Sequence, residues 1–240
     1  MLAIYQQLRQ AGYTDDRIIL IVEDDIADNV SNPNKGVIQV TIGGNNVYEN
    51  VEIDYRMSSL KAKDILAILN GEKSESLPTV IESTENDNLF VFWSGHGVPG
   101  AMCWDEEPYA MTGDDLSTVF KDMNLKRRYR KLLMMVEACF SGGVMEQCEG
   151  IPGMLFITAA NGDETSKADV FNSEMKVWMS NRFTSTFIEQ ITDNKEVAMR
   201  DLYYRLFINT VGSHVMVYNA ENYGNLYSAN MSEFINSIVR

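Results

Sequence analysis

Two apolar runs in this chain each stop at a side chain that can make and break bonds. The first is Phe90-Val91-Phe92-Trp93-Ser94-Gly95-His96-Gly97, which delivers an imidazole. The second is Leu132-Leu133-Met134-Met135-Val136-Glu137-Ala138-Cys139-Phe140-Ser141-Gly142-Gly143, which delivers a thiol. In an open α/β sheet, ligands and catalytic groups gather at the carboxyl ends of the strands. A thiolate there is a nucleophile, and a nearby imidazole can both lower the thiol pKa and protonate a leaving group. With two histidines and three cysteines in the chain, a Cys–His enzyme has few ways to be built. His96 sits between two glycines, where backbone can pass close to a substrate; its other reading is a turn histidine after a strand. His214, in Gly212-Ser213-His214-Val215, reads as a structural residue inside a late strand or at its start. Cys103 and Cys148 read as semi-buried small side chains. An odd, sparse cysteine set without Cys-x-x-Cys is neither a disulfide framework nor a zinc site.

The elements that would carry these groups can be read from the pattern. Five short unbroken apolar runs read as buried strands: Ile18–Val22, Leu89–Trp93, Leu132–Val136, Met154–Thr158 and Val215–Tyr218. Helical stretches lie between them at Lys61–Leu69, Gly113–Met123, Arg182–Ile191 and Glu196–Phe207, with an amphipathic helix already in progress at the amino terminus. Thr112 and Asp114 are the candidate N-caps of the second stretch. The alternation predicts one α/β domain over residues 1–240, with a mostly parallel sheet flanked by helices on both faces. Asn29–Tyr55 reads as a long excursion with a β-hairpin around Gly43-Gly44-Asn45-Asn46. Gly71–Asn88 reads as a flexible connection, and Gly162–Ser173 as the substrate-binding loop after the fourth strand. No internal repeat and no low-complexity tract is present.

Bulk composition narrows the functions. At 240 residues and 45% hydrophobic content the chain can bury a full core. A formal charge of −14 would be repelled by a phosphate backbone, which argues against a nucleic-acid partner. No apolar run approaches the roughly 20 residues that cross a membrane. The basic cluster Lys126–Lys131 reads as the solvated end of a helix, with a binding patch as the other reading. No signal peptide is visible, and the residues fit a cytoplasmic location or export from a longer precursor alike. The oligomeric state is open.

Beyond the two runs, a wider set of residues resembles the legumain-type cysteine endopeptidases, the group that also holds the catalytic subunit of glycosylphosphatidylinositol transamidase. These are Asp24–Ala27, Asn32-Pro33, Gly36, Val47-Tyr48, Asp54-Tyr55, Leu66–Leu69, His96-Gly97, Tyr129–Lys131, Glu137–Cys139, Thr158–Asn161 and Ser213–Met216. The resemblance runs over about residues 3 to 219. It implies a caspase-like fold, a catalytic dyad of Cys139 and His96, and an oxyanion hole made of the Gly97 and Cys139 N–H groups. It also implies that Glu137 lines the primary specificity pocket, that Thr165 and Ser166 form a wall of it, and that Asn181 stands near a position held by an aspartate in the family. Taken as structural residues, Glu137 would be a strand-end carboxylate paired with a base, and Thr165, Ser166 and Asn181 ordinary loop polarity. Peptide or protein would be the substrate, asparagine before the scissile bond is favoured by analogy, and no metal or other cofactor is implied.

Two departures from the pattern follow from the same resemblance. Legumains begin with a strand and a loop bearing Asn, Arg and His before the helix at which this chain starts; that strand would lie between Ile18–Val22 and Leu89–Trp93. They also continue past the Ser-His-Val-Met strand into a helical inhibitory domain. The same dyad would serve a transamidase or ligase, and a shortened homologue could act without catalysis.

Overall fold

The computed structural model describes residues 1–104 and 107–236. In chain order its elements are α1 (Leu2–Gln10), β1 (Ile21–Val22), β2 (Tyr55–Arg56), α2 (Ala62–Asn70), β3 (Asn88–Ser94), β4 (Gly97–Val98), β5 (Ala101–Trp104), β6 (Glu107–Thr112), α3 (Gly113–Leu125), β7 (Lys131–Glu137) and α4 (Ser141–Met145). There follow β8 (Met154–Thr158), β9 (Ala168–Asn172), β10 (Val177–Asn181), α5 (Arg182–Asp193), α6 (Met199–Asn209), β11 (Met216–Tyr218), α7 (Ala220–Tyr223) and α8 (Ser232–Ile235).

The central sheet has the order β11-β8-β7-β3, with β3, β7 and β8 parallel and β11 antiparallel at one edge. Period-two alternation sends successive side chains of β7 and β8 to opposite faces. Leu132, Met134, Val136, Met154 and Phe156 join a core cluster with Ile65 and Ile68 of α2 and Leu116 and Phe120 of α3. Leu133, Met135, Leu155 and Ile157 join a second cluster with Ile4 of α1, Phe183 and Phe187 of α5, and Leu202 of α6. Both faces are covered, which is why these strands read as unbroken apolar runs. None of the described helices is long and apolar enough to cross a membrane.

Helix boundaries follow local chemistry. Thr112 caps α3: its hydroxyl accepts from the Asp115 N–H, and the Asp115 carboxylate takes the Thr112 N–H in return. Asp114 lies inside the first turn rather than at the cap. Gly71 closes α2 in a left-handed conformation, φ +68°.

Several expectations are corrected. The Ile18–Val22 strand shrinks to Ile21–Val22, because β2 offers only two residues to pair with and no described strand flanks its other edge. The hairpin around Gly43–Asn46 does not form; the Asn46 side chain satisfies Ile38 N–H, Tyr48 N–H and the Gly36 carbonyl, taking over what a ladder would do. The Gly162–Ser173 loop is part strand, since Ala168–Asn172 pairs antiparallel with β10. Of the Lys126–Lys131 cluster, only Lys126 ends a helix, paired with Asp122. Lys126, Arg127 and Arg130 are exposed just past α3, as expected of a solvated helix end, whereas Arg128 donates to the Ile81 carbonyl and Lys131 joins Arg130 in pairing with Glu233.

β1 and β2 form a sheet separate from the central one, and a cavity of about 860 Å³ lies between β1 and β3.

Candidate active site

Strand register decides what meets at the carboxyl end of the sheet. The last rung between β3 and β7 is Ser94 opposite Glu137. His96 and Cys139 each lie two residues beyond it, so the parallel strands deliver imidazole and thiol at the same height. Gly95 N–H donates to the Glu137 carbonyl, extending the contact past the ladder. Gly97 then packs on the turn after β7 so closely that a Cβ there would sit 2.1 Å from the Cys139 carbonyl oxygen. Only glycine fits. His96 is exposed and Cys139 partly so.

The turn after β7 is held from the far side. Phe140 takes a left-handed conformation, φ +55°, and opens α4. Its N–H donates to the Glu164 carbonyl at 2.8 Å, and Gly142 N–H to Ala160 at 3.1 Å. A Cβ on Gly142 would meet the Asn161 backbone at 2.8 Å, so α4 and the loop after β8 touch backbone to backbone. The Cys139 N–H reaches no backbone acceptor among the described residues. Gly97 stands opposite Met102, one residue on from the His96 carbonyl that accepts the Cys103 N–H. Antiparallel alternation therefore turns the Gly97 N–H away from β5.

Glu137 ends β7 and is 1% exposed. One carboxyl oxygen accepts from the N–H and hydroxyl of Thr184 at 2.9 and 3.0 Å; the other has no partner among the described residues. Burial pushes its pKa above the ordinary carboxylate value, with Thr184, Ser166 and the Met1 amine pulling the other way. Its partner is thus a threonine at the start of α5 rather than a base. Ser166 Oγ lies 3.9 Å from Cys139 Sγ. Thr165 is exposed and accepts from Lys167. Asn181 ends β10 and occupies the N-cap position of α5 without a side-chain cap bond. Cys139, Glu137 and Ser166 therefore lie together with Gly97 packed on the Cys139 carbonyl, and His96 enters through its backbone position beside Gly97; Thr165 and Asn181 show no contact with them among the described residues.

Two residues were missed by the sequence reading. Thr184 holds Glu137, and nothing in its surroundings in the sequence marks it. Glu164 is the larger omission. Its carboxylate accepts from Asn161 N–H, His214 N–H and His214 Nδ1 at 3.2, 2.6 and 2.9 Å, tying the loop after β8 to the segment before β11. The spacing Asn161-x-x-Glu164 is that of a capping box and could have announced it. His214 lies just before β11, exposed, as the partner of Glu164. Cys148 is fully buried and its thiol is pushed up to about 12 by burial, which leaves it inert. No three His, Cys, Asp or Glu side chains among the described residues converge to hold a metal ion.

A sequence profile of the peptidase C13 family matches residues 1–234. Legumain of Rattus norvegicus is 29% identical over 220 residues, which is 89% of this chain and 50% of that protein. The vacuolar-processing enzyme of Vicia sativa is 36% identical over 168 residues, 68% of this chain and 34% of that protein. The chain thus spans about half the length of the curated legumains it matches, or less for the plant enzyme. Among solved structures, caspase-1 of Spodoptera frugiperda superposes with a TM-score of 0.51 at 11% identity, covering 92% of this chain and 90% of its own, which shows a caspase-like fold. A family profile spanning nearly every residue identifies the chain as a member of the peptidase C13 family.

Proposed function

We propose that the protein is a cysteine endopeptidase of legumain type. The observation that carries this is the shared height of His96 and Cys139 beyond the Ser94–Glu137 rung, with Gly97 packed on the Cys139 carbonyl. The Cys139 thiolate attacks the carbonyl carbon of the scissile peptide bond and forms a tetrahedral oxyanion. The N–H groups of Gly97 and Cys139 donate to that oxyanion; the first is turned away from β5 and the second is without a backbone acceptor, which supports both as donors. Collapse breaks the C–N bond, and the imidazolium of His96 gives its proton to the departing amine. Water, deprotonated by the now neutral imidazole, then hydrolyses the thioester and restores the thiol.

The side chain before the scissile bond is asparagine in this proposal. Glu137 supports it: a buried carboxyl with a raised pKa and one unpartnered oxygen suits a neutral amide, which can both donate and accept, and disfavours a second carboxylate. Ser166, at 3.9 Å from the sulfur, sits where it can join that pocket. Thr165 and Asn181 remain in the proposal as outer wall residues of the same pocket. The test is hydrolysis of fluorogenic peptides bearing Asn, Asp, Arg or Lys before the reporter. Turnover of the Asn peptide that vanishes in Cys139→Ala supports the reading. Preference for Arg or Lys overturns the asparagine assignment. No turnover of any peptide by a folded protein overturns the peptidase.

A further inference from the structure

The loop after β8 is pinned by its backbone on both sides of the site. The Phe140 N–H donates to the Glu164 carbonyl, and the Arg182 N–H donates to the Lys167 carbonyl at 2.8 Å. Only Thr165 and Ser166 lie between these two ties. Ser166 is the residue that reaches the nucleophile: its Oγ is 3.9 Å from Cys139 Sγ, and it stands beside the Glu137 carboxyl.

Glu164 adds a third tie through its side chain. Oε1 accepts the Asn161 and His214 N–H groups, and Oε2 faces His214 Nδ1 at 2.9 Å. His214 is anchored by its neighbour, since Ser213 is buried and its hydroxyl donates to the Ala159 carbonyl at 2.7 Å. Burial raises the pKa of Glu164, but the bonds from His214 and Asn161 outweigh it and hold the carboxyl below its ordinary value. Both oxygens are occupied, so the side chain is not a ligand for substrate or a base for the thiol. Whatever Glu164 does for the reaction, it does through position.

We propose that Glu164, anchored on His214, is a positioning residue that fixes Ser166 against Cys139 and Glu137 and so sets the pocket wall for the residue before the scissile bond. This rests on the cysteine-peptidase reading above. An exposed ion pair alone would contribute little, and the His214 ring is largely exposed. Here two of the three bonds come from main-chain N–H groups on separate segments, and one carboxylate that accepts both closes the gap between them. Truncating the side chain frees the loop beside Ser166 but keeps the Glu164 carbonyl that receives the Phe140 N–H. Substrate binding should therefore suffer before chemistry does.

The experiment measures hydrolysis of the Asn peptide by Glu164→Ala, Glu164→Gln, His214→Ala and the Glu164→Ala/His214→Ala double variant. Glu164→Ala should raise KM about tenfold with kcat within about twofold, whereas a loss of folded protein would lower kcat at constant KM. Glu164→Gln keeps an oxygen for the two N–H groups, and its NH2 can meet the lone pair of the other His214 tautomer. It should bring KM back to within about threefold of the unaltered protein. The double variant should be no worse than Glu164→Ala, because the two residues form one link. Should Glu164→Ala not fold, His214→Ala, which keeps the two main-chain bonds, carries the same comparison at about threefold. Hydrogen exchange by mass spectrometry reads the tie apart from activity: Glu164→Ala should speed exchange over residues 161–167 and 212–216 and leave 132–137 unchanged. Unaltered exchange, an unaltered KM, or no rescue by glutamine overturns the proposal. An unaltered protein that is folded but turns over no peptide is the failure of the peptidase reading, and this role falls with it; an active protein whose variants keep their KM is the failure of this role alone.

Discussion

β3 and β7 are neighbours in one sheet, run parallel in full register, and each ends at one of the two reactive side chains, yet they are built differently. β7 is paired on both edges, and Leu132 through Glu137 are all buried. β3 is paired on one edge, and of its seven residues only Phe92 is buried. Cys139 thus follows a strand that is buried and paired on both edges, and His96 follows one that lines a cavity. A thiol must attack from one fixed position, and its turn is further tied to the loop after β8 through Phe140, Gly142 and Glu164. The histidine has less beneath it; what holds it in place is the close approach of Gly97 to Cys139. Catalytic geometry and sheet stability are therefore unequally divided between two adjacent strands.

The largest expected effect treats the two strand ends as one unit. Cys139→Ala and His96→Ala should each lower kcat about 10³-fold or more, with the double variant little worse than either, since residues acting together are not additive. Steady-state kinetics checks this; additive losses would mean the two ends act separately. Gly97→Ala comes next. Its methyl group collides with the Cys139 carbonyl and must push the strand ends apart, so kcat/KM should fall about 10²-fold, as an ångström of misplacement commonly costs. Thermal unfolding should move far less than activity does.

Stability should separate the strands themselves. Met134→Ala or Met135→Ala in β7 removes a fully buried side chain and should cost about 2–5 kcal/mol in urea unfolding. Val91→Ala, half-buried in β3, should cost roughly 1 kcal/mol. Equal costs would mean that β3 is as well enclosed as its neighbour.

The smallest effect is electrostatic and lies at the top of β7. Burial raises the pKa of Glu137 above its ordinary 4.5, so the folded state holds that proton more firmly than the unfolded chain. Its contribution to stability is then fullest below the ordinary value and is lost as pH rises through the raised one. Glu137→Gln cannot ionise, and its melting temperature should decline less than that of the unaltered protein as pH rises from about 4.5 toward neutrality. Parallel curves would show that Glu137 is ionised without penalty.

How far the sequence announces this molecule depends on how each element is stabilised. Leu132–Val136 and Met154–Thr158 are buried on both faces, so composition alone marks them, and the structure places both within a residue of expectation. The same signal overstates Ile18–Val22, because an apolar run says nothing about whether a partner strand is present. It misses β9 and β10 entirely: this hairpin stands out from the sheet, with Phe171 and Trp178 in contact on its surface and the Asn172 side chain bonding the turn. No buried face writes a pattern there. In the site, His96, Gly97, Cys139 and Glu137 are legible because strand ends and glycines punctuate the chain. Thr184 is not legible in this way, since its role arises from a contact across the fold, and of Glu164 the local spacing to Asn161 announces one bond but not those to His214.

The most direct test is chemical. The protein is incubated with a peptidyl acyloxymethyl ketone carrying asparagine next to the warhead, and the site of addition is located by tryptic mass spectrometry. The account predicts one adduct, on Cys139, abolished by His96→Ala and absent from Cys103 and from the buried Cys148. Labelling of Cys103 in place of Cys139, or addition to Cys139 that is indifferent to both His96 and the peptide, would contradict a substrate-directed Cys139–His96 centre.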